Sequence, residues 1–301
     1  MRRLGAIAVI LFLAGCAAVP AWTPRVEKSL EPSEAIAAAP SADWEEIPAE
    51  DLLVMDLSNG GRIIIQLAPE FAPVHVANIR AFARSKWWDD ASIYRLQDNY
   101  VAQWGNGEAA LPLPAGTVKT PPAEYERPLS GLQIRPLGYP DAYAPRVGHV
   151  DGWNIGYDKK RGQAWLTHCY GSVGVGRDLA PDTGTGGELY AVIGHAPRHL
   201  DRNIASVGRV IEGMENLSAI KRGGEALGFI ADKADHVGIK SIVSAADLPV
   251  AERPRFAFLR TDTNSFAQYV RGRANRGGDF FIQPAGGVDI CNASVPIRRV
   301  K

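Results

Sequence analysis

Short apolar segments separated by turn-forming residues dominate the middle of the chain. We predict strands over 52–57 and 62–67, joined by a hairpin at Asn59-Gly60, because this dipeptide accepts the positive φ angles of a tight turn. The same pattern predicts further strands over 93–103 (strand and bend), 163–176 (a strand pair), 188–194, 205–211 and 237–244. Many short strands at close spacing are typical of a mainly β fold.

Only two segments carry a helical pattern. Ala72-Pro73 opens the first, since proline is favoured in a first helical turn, and apolar residues then recur at helical spacing at 76, 79, 82 and 83. A second, short helix is predicted over 213–221. Several strands with two helices favour a closed antiparallel barrel.

Two stretches do not fit the barrel pattern. Residues 107–162 are polar and rich in proline and glycine, so we expect an insertion of irregular structure or an added hairpin. Residues 246–301 follow the last predicted strand and include basic residues, aromatic residues and a strand-like segment at 280–282. We interpret them as a C-terminal extension that packs on the domain.

The N-terminus has the pattern of an export signal. Arg2 and Arg3 precede an apolar run over 4–14, which is too short for a membrane span. Leu13-Ala14-Gly15-Cys16 resembles the bacterial lipobox, in which the cysteine is acylated; an ordinary signal peptide with an incidental cysteine is the alternative. We therefore expect residues 1–16 to be a signal, residues 17–48 a flexible linker, and the protein to be periplasmic and lipid-anchored through Cys16.

Composition and charge narrow the classes of function. The chain has 301 residues, of which 46% are hydrophobic, so it can fill a core. Its 33 basic and 33 acidic side chains give a net charge of zero, so no bulk attraction to nucleic acid is expected. Membrane contact is expected through the lipid anchor only.

Two cysteines remain besides Cys16. In an oxidising compartment an even pair favours a disulfide, here between Cys169 and Cys291. Two buried thiols are the alternative, since a sequence does not show whether the two Cα atoms are close enough.

Three segments, in order, resemble cyclophilin-type peptidyl-prolyl isomerases. Residues 61–78 are similar to the family's G-x-I-x-I-x-L…A-P-x-x-V-x-N-F, residues 93–106 to F-H-R-V…F-M-x-Q-G-G-D, and residues 188–214 to Q-F-F-I…W-L-D…F-G-x-V-x-x-G-M. The resemblance implies a cyclophilin-like barrel domain over residues 49–245, apart from the insertion. It also implies catalysis of prolyl isomerisation without cofactor or metal.

The chemistry of that reaction explains why an arginine is needed. Rotation about a peptide C–N bond meets a barrier of about 18–20 kcal/mol, and loss of amide resonance in the twisted state makes the prolyl nitrogen a hydrogen-bond acceptor. A guanidinium aimed at this nitrogen stabilises the twisted state more than either planar state. The resemblance assigns this role to Arg95 and assigns Gln103 to the substrate backbone and to holding the arginine.

The resemblance also implies a set of substrate-binding positions, several of which depart from the family pattern. These positions are Tyr94, Tyr100, Val101, Glu188, Tyr190, His199 and Leu200. Tyr94, Val101, Glu188, Tyr190 and His199 stand where the family usually has His, Met, Gln, Phe and Trp. We therefore expect an altered proline-binding wall and weak or narrow activity.

Other motifs are weaker. His195 and His199 have the spacing of two zinc ligands on a helix, but their flanks predict a loop, so no metal site is expected. The glycine-rich segment 184–187 lacks the strand–turn–helix context of a phosphate site. We interpret it as a tight loop beside the expected peptide-binding groove. The adjacent His168 and Cys169 are not expected to form a catalytic pair, because neighbouring strand residues point to opposite faces.

Two functions remain open, besides a purely structural envelope protein that would show neither binding nor catalysis. The first is a peptidyl-prolyl isomerase that assists the folding of exported proteins, with proline-containing polypeptides as substrates. The alternative is a catalytically weak or inactive module that binds proline-containing peptides in the cell envelope. A monomer is expected in either case.

Overall fold

Residues 30–107 and 111–300 are described by a computed structural model. The expected signal peptide and the acylation of Cys16 lie outside these residues, as does the first part of the expected linker. None of the helices in the described ranges is long and apolar enough to cross a bilayer.

The described chain contains sixteen strands and four α-helices. The helices are α1 (Pro32–Ala38), α2 (Pro73–Arg84), α3 (Met214–Ser218) and α4 (Asn264–Ala274). The strands up to the middle of the chain are β1 (Trp44–Glu46), β2 (Leu52–Leu57), β3 (Arg62–Leu67), β4 (Ser92–Leu96), β5 (Val101–Gly105), β6 (Arg127–Pro128), β7 (Arg135–Pro136) and β8 (Arg146–Val150). The remaining strands are β9 (Trp153–Asp158), β10 (Gln163–Leu166), β11 (Ser172–Val175), β12 (Leu189–Val192), β13 (Ser206–Glu212), β14 (Val237–Ser244), β15 (Phe256–Leu259) and β16 (Ile297–Arg299).

Eight strands close into an antiparallel barrel in the order β11-β12-β5-β4-β14-β2-β3-β13. This confirms the prediction of a mainly β fold with a closed barrel. The β2–β3 hairpin turns at Gly60, whose φ is +90°, and the Asn59 side chain accepts a hydrogen bond from the Gly61 N–H at 3.0 Å. The turn is therefore determined by local sequence, as expected for an Asn-Gly pair.

Both faces of β2 and β3 are buried. Leu53, Met55 and Leu57 point into the barrel core, whereas Leu52 and Val54 belong to a second apolar cluster outside the barrel. This second cluster includes apolar side chains of β15 and α4. The C-terminal extension therefore packs on the outer face of β2 and β3, which explains their nearly continuous apolar sequence.

The two predicted helices correspond to α2 and α3. The predicted apolar face of α2 is confirmed, since Val76, Ile79, Phe82 and Ala83 are buried in the barrel core. The backbone N–H groups of Val74 and His75, in the first turn of α2, donate to the Glu124 carboxylate at 2.8 and 3.0 Å. An acceptor from the insertion thus satisfies donors that the helix itself leaves unpaired.

The prediction of a strand pair over 163–176 is wrong. β10 belongs to a separate five-stranded sheet of order β6-β10-β9-β8-β7, while β11 belongs to the barrel. The added structure therefore extends to Leu166 and is built around the β8–β9 hairpin. Its inner face, which includes Tyr157 and Ile155, packs on Ala68 and Phe71 just after β3.

The expectation of a flexible linker over 17–48 is wrong for its described part. α1 packs along α4, and β1 pairs with β15 in a three-stranded sheet of order β1-β15-β16. Ala35 and Trp44 are buried against the extension. These contacts join parts of the chain more than 200 residues apart, from Trp44 to Leu259, so local composition does not reveal them.

The extension also differs from its predicted pattern. Residues 280–282 form no strand and are exposed, whereas the strands of the extension lie at 256–259 and 297–299. Cys169 and Cys291 form a disulfide with their Cα atoms 5.1 Å apart. It joins the segment between β10 and β11 to the C-terminal extension.

Candidate active site

Arg95 lies on the barrel surface at the end of β4, with its guanidinium held on three sides. Its Nη1 donates to the Gln103 Oε1 at 2.9 Å, its Nη2 to the Gln97 Oε1 at 2.9 Å, and its Nε to the Leu227 carbonyl at 2.7 Å. A guanidinium has five N–H donors, so one N–H on each Nη has no acceptor in the described chain. These two donors are available to a substrate.

Two aromatic rings flank the same guanidinium. Its Cζ lies 5.9 Å from the centre of the Tyr100 ring and 5.5 Å from that of Phe229. Contacts of this kind stabilise a cation over a ring face. Arg95 therefore stands in a half-buried aromatic setting rather than extending into bulk solvent.

A chain of hydrogen bonds runs from Arg95 across the barrel surface. Besides accepting from Arg95, Gln103 donates through Nε2 to the Tyr94 hydroxyl at 2.7 Å, and Tyr94 donates to the Glu188 Oε2 at 2.7 Å. The second carboxylate oxygen of Glu188 accepts from the Gly107 N–H at 3.0 Å. The chain fixes the Gln103 amide so that its carbonyl faces the arginine.

Burial controls the ionisation of this chain. Burial raises the pKa of Glu188 to about 7, although the hydrogen bonds from Tyr94 and from two backbone N–H groups oppose the change. Burial and the neighbouring Glu188 carboxylate raise the pKa of Tyr94. Tyr94 therefore remains a neutral donor, whereas Glu188 titrates near neutral pH.

We expect Glu188→Gln to change the pH dependence of stability. A carboxyl whose folded pKa is raised, here from 4.5 to about 7, contributes stability at low pH that is lost as pH rises through the folded pKa. The free energy of unfolding of wild type relative to Glu188→Gln should therefore fall between pH 4.5 and 7. Urea unfolding across this range measures it, with Glu225→Gln at an exposed site as control. A pH-independent difference would contradict the prediction.

An apolar cluster lies beside Arg95 and brings together four of the predicted substrate-binding residues. Val101, Tyr190 and Val192 form its buried floor, and Tyr100, Leu200 and Ile204 pack against them. Gly174 leaves room for this floor, since a Cβ there would lie 2.3 Å from the Tyr190 hydroxyl oxygen. The exposed His199 ring stacks on Tyr100 with centroids 6.2 Å apart.

A buried polar network supports the Tyr190 floor from below. The Tyr190 hydroxyl lies 3.1 Å from Nε2 of His168, whose Nδ1 lies 3.1 Å from the Asp201 carboxylate. Arg198 donates to Asp201 at 2.6 Å and to Asp141 of the insertion at 2.9 Å. Burial opposes ionisation of Asp201, but the His168 hydrogen bond and the Arg198 charge outweigh it and lower the pKa of Asp201. The insertion is thereby connected to the cluster.

Sequence reasoning missed three residues that surround the Arg95 guanidinium. Gln97 and Phe229 contact the guanidinium, and Leu227 contributes only its backbone carbonyl. Leu227 and Phe229 lie in the segment between α3 and β14, which no strand or helix pattern marks. Gly228 is a residue of this segment that could have indicated a close backbone contact. A Cβ at position 228 would lie 2.4 Å from the Gln97 Cα, so only glycine allows the two backbones to come this close.

Two histidines of the weaker motifs, His168 and His199, belong to this arrangement. Cys169, the sequence neighbour of His168, is bonded to Cys291 and is therefore not a nucleophile. The 184–187 loop is fastened to α2 and the residues after it, through Asn78 to the Thr185 carbonyl at 2.8 Å and Trp88 to the Gly187 carbonyl at 2.8 Å. In the described ranges, no group of three or more His, Cys, Asp or Glu side chains is arranged to hold a metal ion.

Comparison with known proteins identifies the architecture. The chain is similar in structure to cyclophilin AquaCyp293 from Hirschia baltica, with a TM-score of 0.64 and 22% identity over 86% of this chain and 94% of that one. It is also similar to a Cryptosporidium parvum cyclophilin-type peptidyl-prolyl cis-trans isomerase crystallised in the presence of the dipeptide Ala-Pro, with a TM-score of 0.40 and 12% identity over 64% of this chain and 98% of that one. A comparison with curated proteins found no match.

The family assignment follows from the sequence of the barrel. The family model described as "Cyclophilin type peptidyl-prolyl cis-trans isomerase/CLD" matches residues 52–242, which is more than half of the chain. This match begins at β2 and ends within β14, the strands that close the barrel. The chain belongs to the cyclophilin-type peptidyl-prolyl cis-trans isomerases, enzymes that interconvert the cis and trans forms of prolyl peptide bonds.

Proposed function

We propose that Arg95 is the catalytic residue of this isomerase and that the cluster around Tyr190 receives the substrate proline. The observation that carries the proposal is the held guanidinium, which keeps one N–H on each Nη for a ligand beside an apolar floor. Such a donor pair can be aimed before substrate arrives, so little reorganisation is needed during rotation.

The proposed mechanism requires no covalent step. The proline ring rests against Tyr100 and Leu200 at the open side of the apolar cluster. As the prolyl bond twists, amide resonance is lost and the lone pair becomes localised on the prolyl nitrogen. An Arg95 N–H then donates a hydrogen bond to this nitrogen. Gln103 keeps the guanidinium in place while the Gln103–Tyr94–Glu188 hydrogen bonds keep Gln103 in place.

The test is Arg95→Ala, assayed with a short proline-containing peptide by exchange NMR. We expect the variant to lose its acceleration of isomerisation while peptide chemical shifts still report binding. Acceleration equal to that of wild type would overturn the role of Arg95. Binding by the wild-type protein without acceleration would favour the alternative, a peptide-binding module.

We further propose that the substrates are exported proteins in a bacterial envelope. The lipobox-like segment ending at Cys16 supports this proposal, as does the Cys169–Cys291 disulfide, because such bonds persist in oxidising compartments. Fractionation of cells that express the chain, with mass measurement of its N-terminal peptide, tests it. A cytosolic protein with an unmodified N-terminus would contradict it.

A further inference from the structure

Three adjacent apolar side chains, Phe280, Phe281 and Ile282, project from the C-terminal extension; we call residues 280–282 the apolar tip. Phe280 exposes 86% of its surface and Ile282 is fully exposed. The two phenylalanine rings contact each other edge to face, with centroids 5.2 Å apart. Large apolar groups that are exposed side by side mark an interaction site.

Basic residues precede the apolar tip in the sequence, and one of them, Arg276, contacts it. Between residues 271 and 282 there are three arginines, at 271, 273 and 276, and one acidic residue, Asp279. Arg271 is exposed on α4, and the Arg276 guanidinium lies 5.5 Å from the centre of the Phe281 ring. Aromatic and aliphatic groups bordered by arginines suit a membrane interface, where apolar groups enter the acyl boundary and arginines meet anionic headgroups.

The N-terminal part of the described chain runs against the same segment. Glu31 accepts a hydrogen bond from the Gly277 N–H at 3.0 Å. Gly272 permits close contact, since a Cβ there would lie 2.4 Å from the Leu30 carbonyl oxygen. Leu30, the first described residue, therefore lies close to the segment that carries the apolar tip.

Chain length then limits the distance to an anchor. Cys16 precedes Leu30 by fourteen residues, and an extended chain of that length spans at most about 50 Å. An acyl group on Cys16 holds Leu30 within this distance of a bilayer. The anchor therefore keeps the face beside Leu30 within reach of the lipid.

We propose that the apolar tip and the arginines at 271, 273 and 276 form a docking surface for a lipid bilayer with anionic headgroups. The orientation rests on the proposed acylation of Cys16. An acyl anchor on Cys16 alone would hold the protein at the membrane without setting its orientation. Docking would fix which face of the protein meets the membrane.

The test places a polarity-sensitive fluorescent amino acid at position 282 of the full chain. Vesicles of phosphatidylglycerol and phosphatidylethanolamine should shift its emission to shorter wavelength and protect it from iodide quenching. The same reporter at Leu179, which is 88% exposed on another loop, should not change. Phe280→Ser/Phe281→Ser should abolish the shift at 282.

Every outcome decides the proposal. Flotation of the Phe280→Ser/Phe281→Ser variant reports the anchor separately, because this variant lacks the apolar tip. If the variant floats and the reporter at 282 of the otherwise unchanged chain shows no shift, the anchor is retained and the docking surface is contradicted. A shift at 282 with no flotation of the variant retains the surface and contradicts the anchor, and absence of both contradicts both. A shift that appears equally without vesicles indicates a second copy of the chain and overturns membrane docking. Isomerase activity of the same samples reports the proposed catalytic role independently.

Discussion

Arg95→Lys should lower kcat/KM for prolyl isomerisation by about 10²–10³, the loss typical when one donor to a transition state is removed. Lysine keeps the charge but presents its donors from a single nitrogen, whereas arginine presents a planar fork. The three contacts that now hold Arg95, to Gln103, Gln97 and Leu227, point to different nitrogen atoms of that fork. An ammonium group cannot satisfy all three and still offer a donor to the prolyl nitrogen.

The matched control is Arg62→Lys. Arg62 forms an exposed pair with Asp56 next to the β2–β3 hairpin and lies outside the site, so this change should leave kcat/KM unaltered. Exchange NMR with a proline-containing peptide measures both variants, and urea unfolding checks that both are folded. An Arg95→Lys enzyme with wild-type kcat/KM would show that charge alone suffices, contrary to the proposed directional hydrogen bond.

The second large effect concerns the Cys169–Cys291 disulfide. Its cysteines are 122 residues apart, and closing a loop of that size removes enough unfolded-state entropy to stabilise the protein by about 5 kcal/mol. We expect Cys169→Ser/Cys291→Ser to lower the free energy of unfolding by about this amount. Urea unfolding under non-reducing conditions measures the loss.

Reduction of the wild-type protein provides an independent control. A thiol reductant should reproduce the loss in the wild type and have no effect on the double serine variant. If the double variant unfolds at the wild-type urea concentration, the bridge does not contribute to stability. A reductant effect on the double variant would show that the reagent acts elsewhere.

The barrel was predictable where its determinants are local. The Asn59-Gly60 turn, the strands beside it and the apolar face of α2 depend on residues that are close in sequence. The structure contains all three at the predicted positions. β10 was misassigned because its partners, β6 and β9, both belong to the insertion, and a four-residue strand with three apolar residues does not specify its neighbours. β1 was missed because it is only three residues long and because, among the described strands, it pairs with β15 alone.

The candidate site also contains residues that the sequence indicated and residues that it did not. Arg95, Gln103 and the apolar cluster were found because side-chain identities at known spacings carry the family resemblance. The Leu227 carbonyl was missed because a backbone acceptor has no residue signature, and Phe229 because its position depends on how the segment after α3 returns to β4. The His168–Asp201–Arg198–Asp141 network was missed because its members come from three separated segments of the chain and meet only in the folded interior.

The β1-β15-β16 sheet can form only after nearly the whole chain has been synthesised. Ser244 completes the barrel, but β1 has no partner until β15 has been made. A nascent chain can thus close its barrel while Leu52, Val54 and Ile64 still lack the side chains that later cover them. A chain that ends before Phe256 would therefore leave part of this apolar surface exposed to solvent.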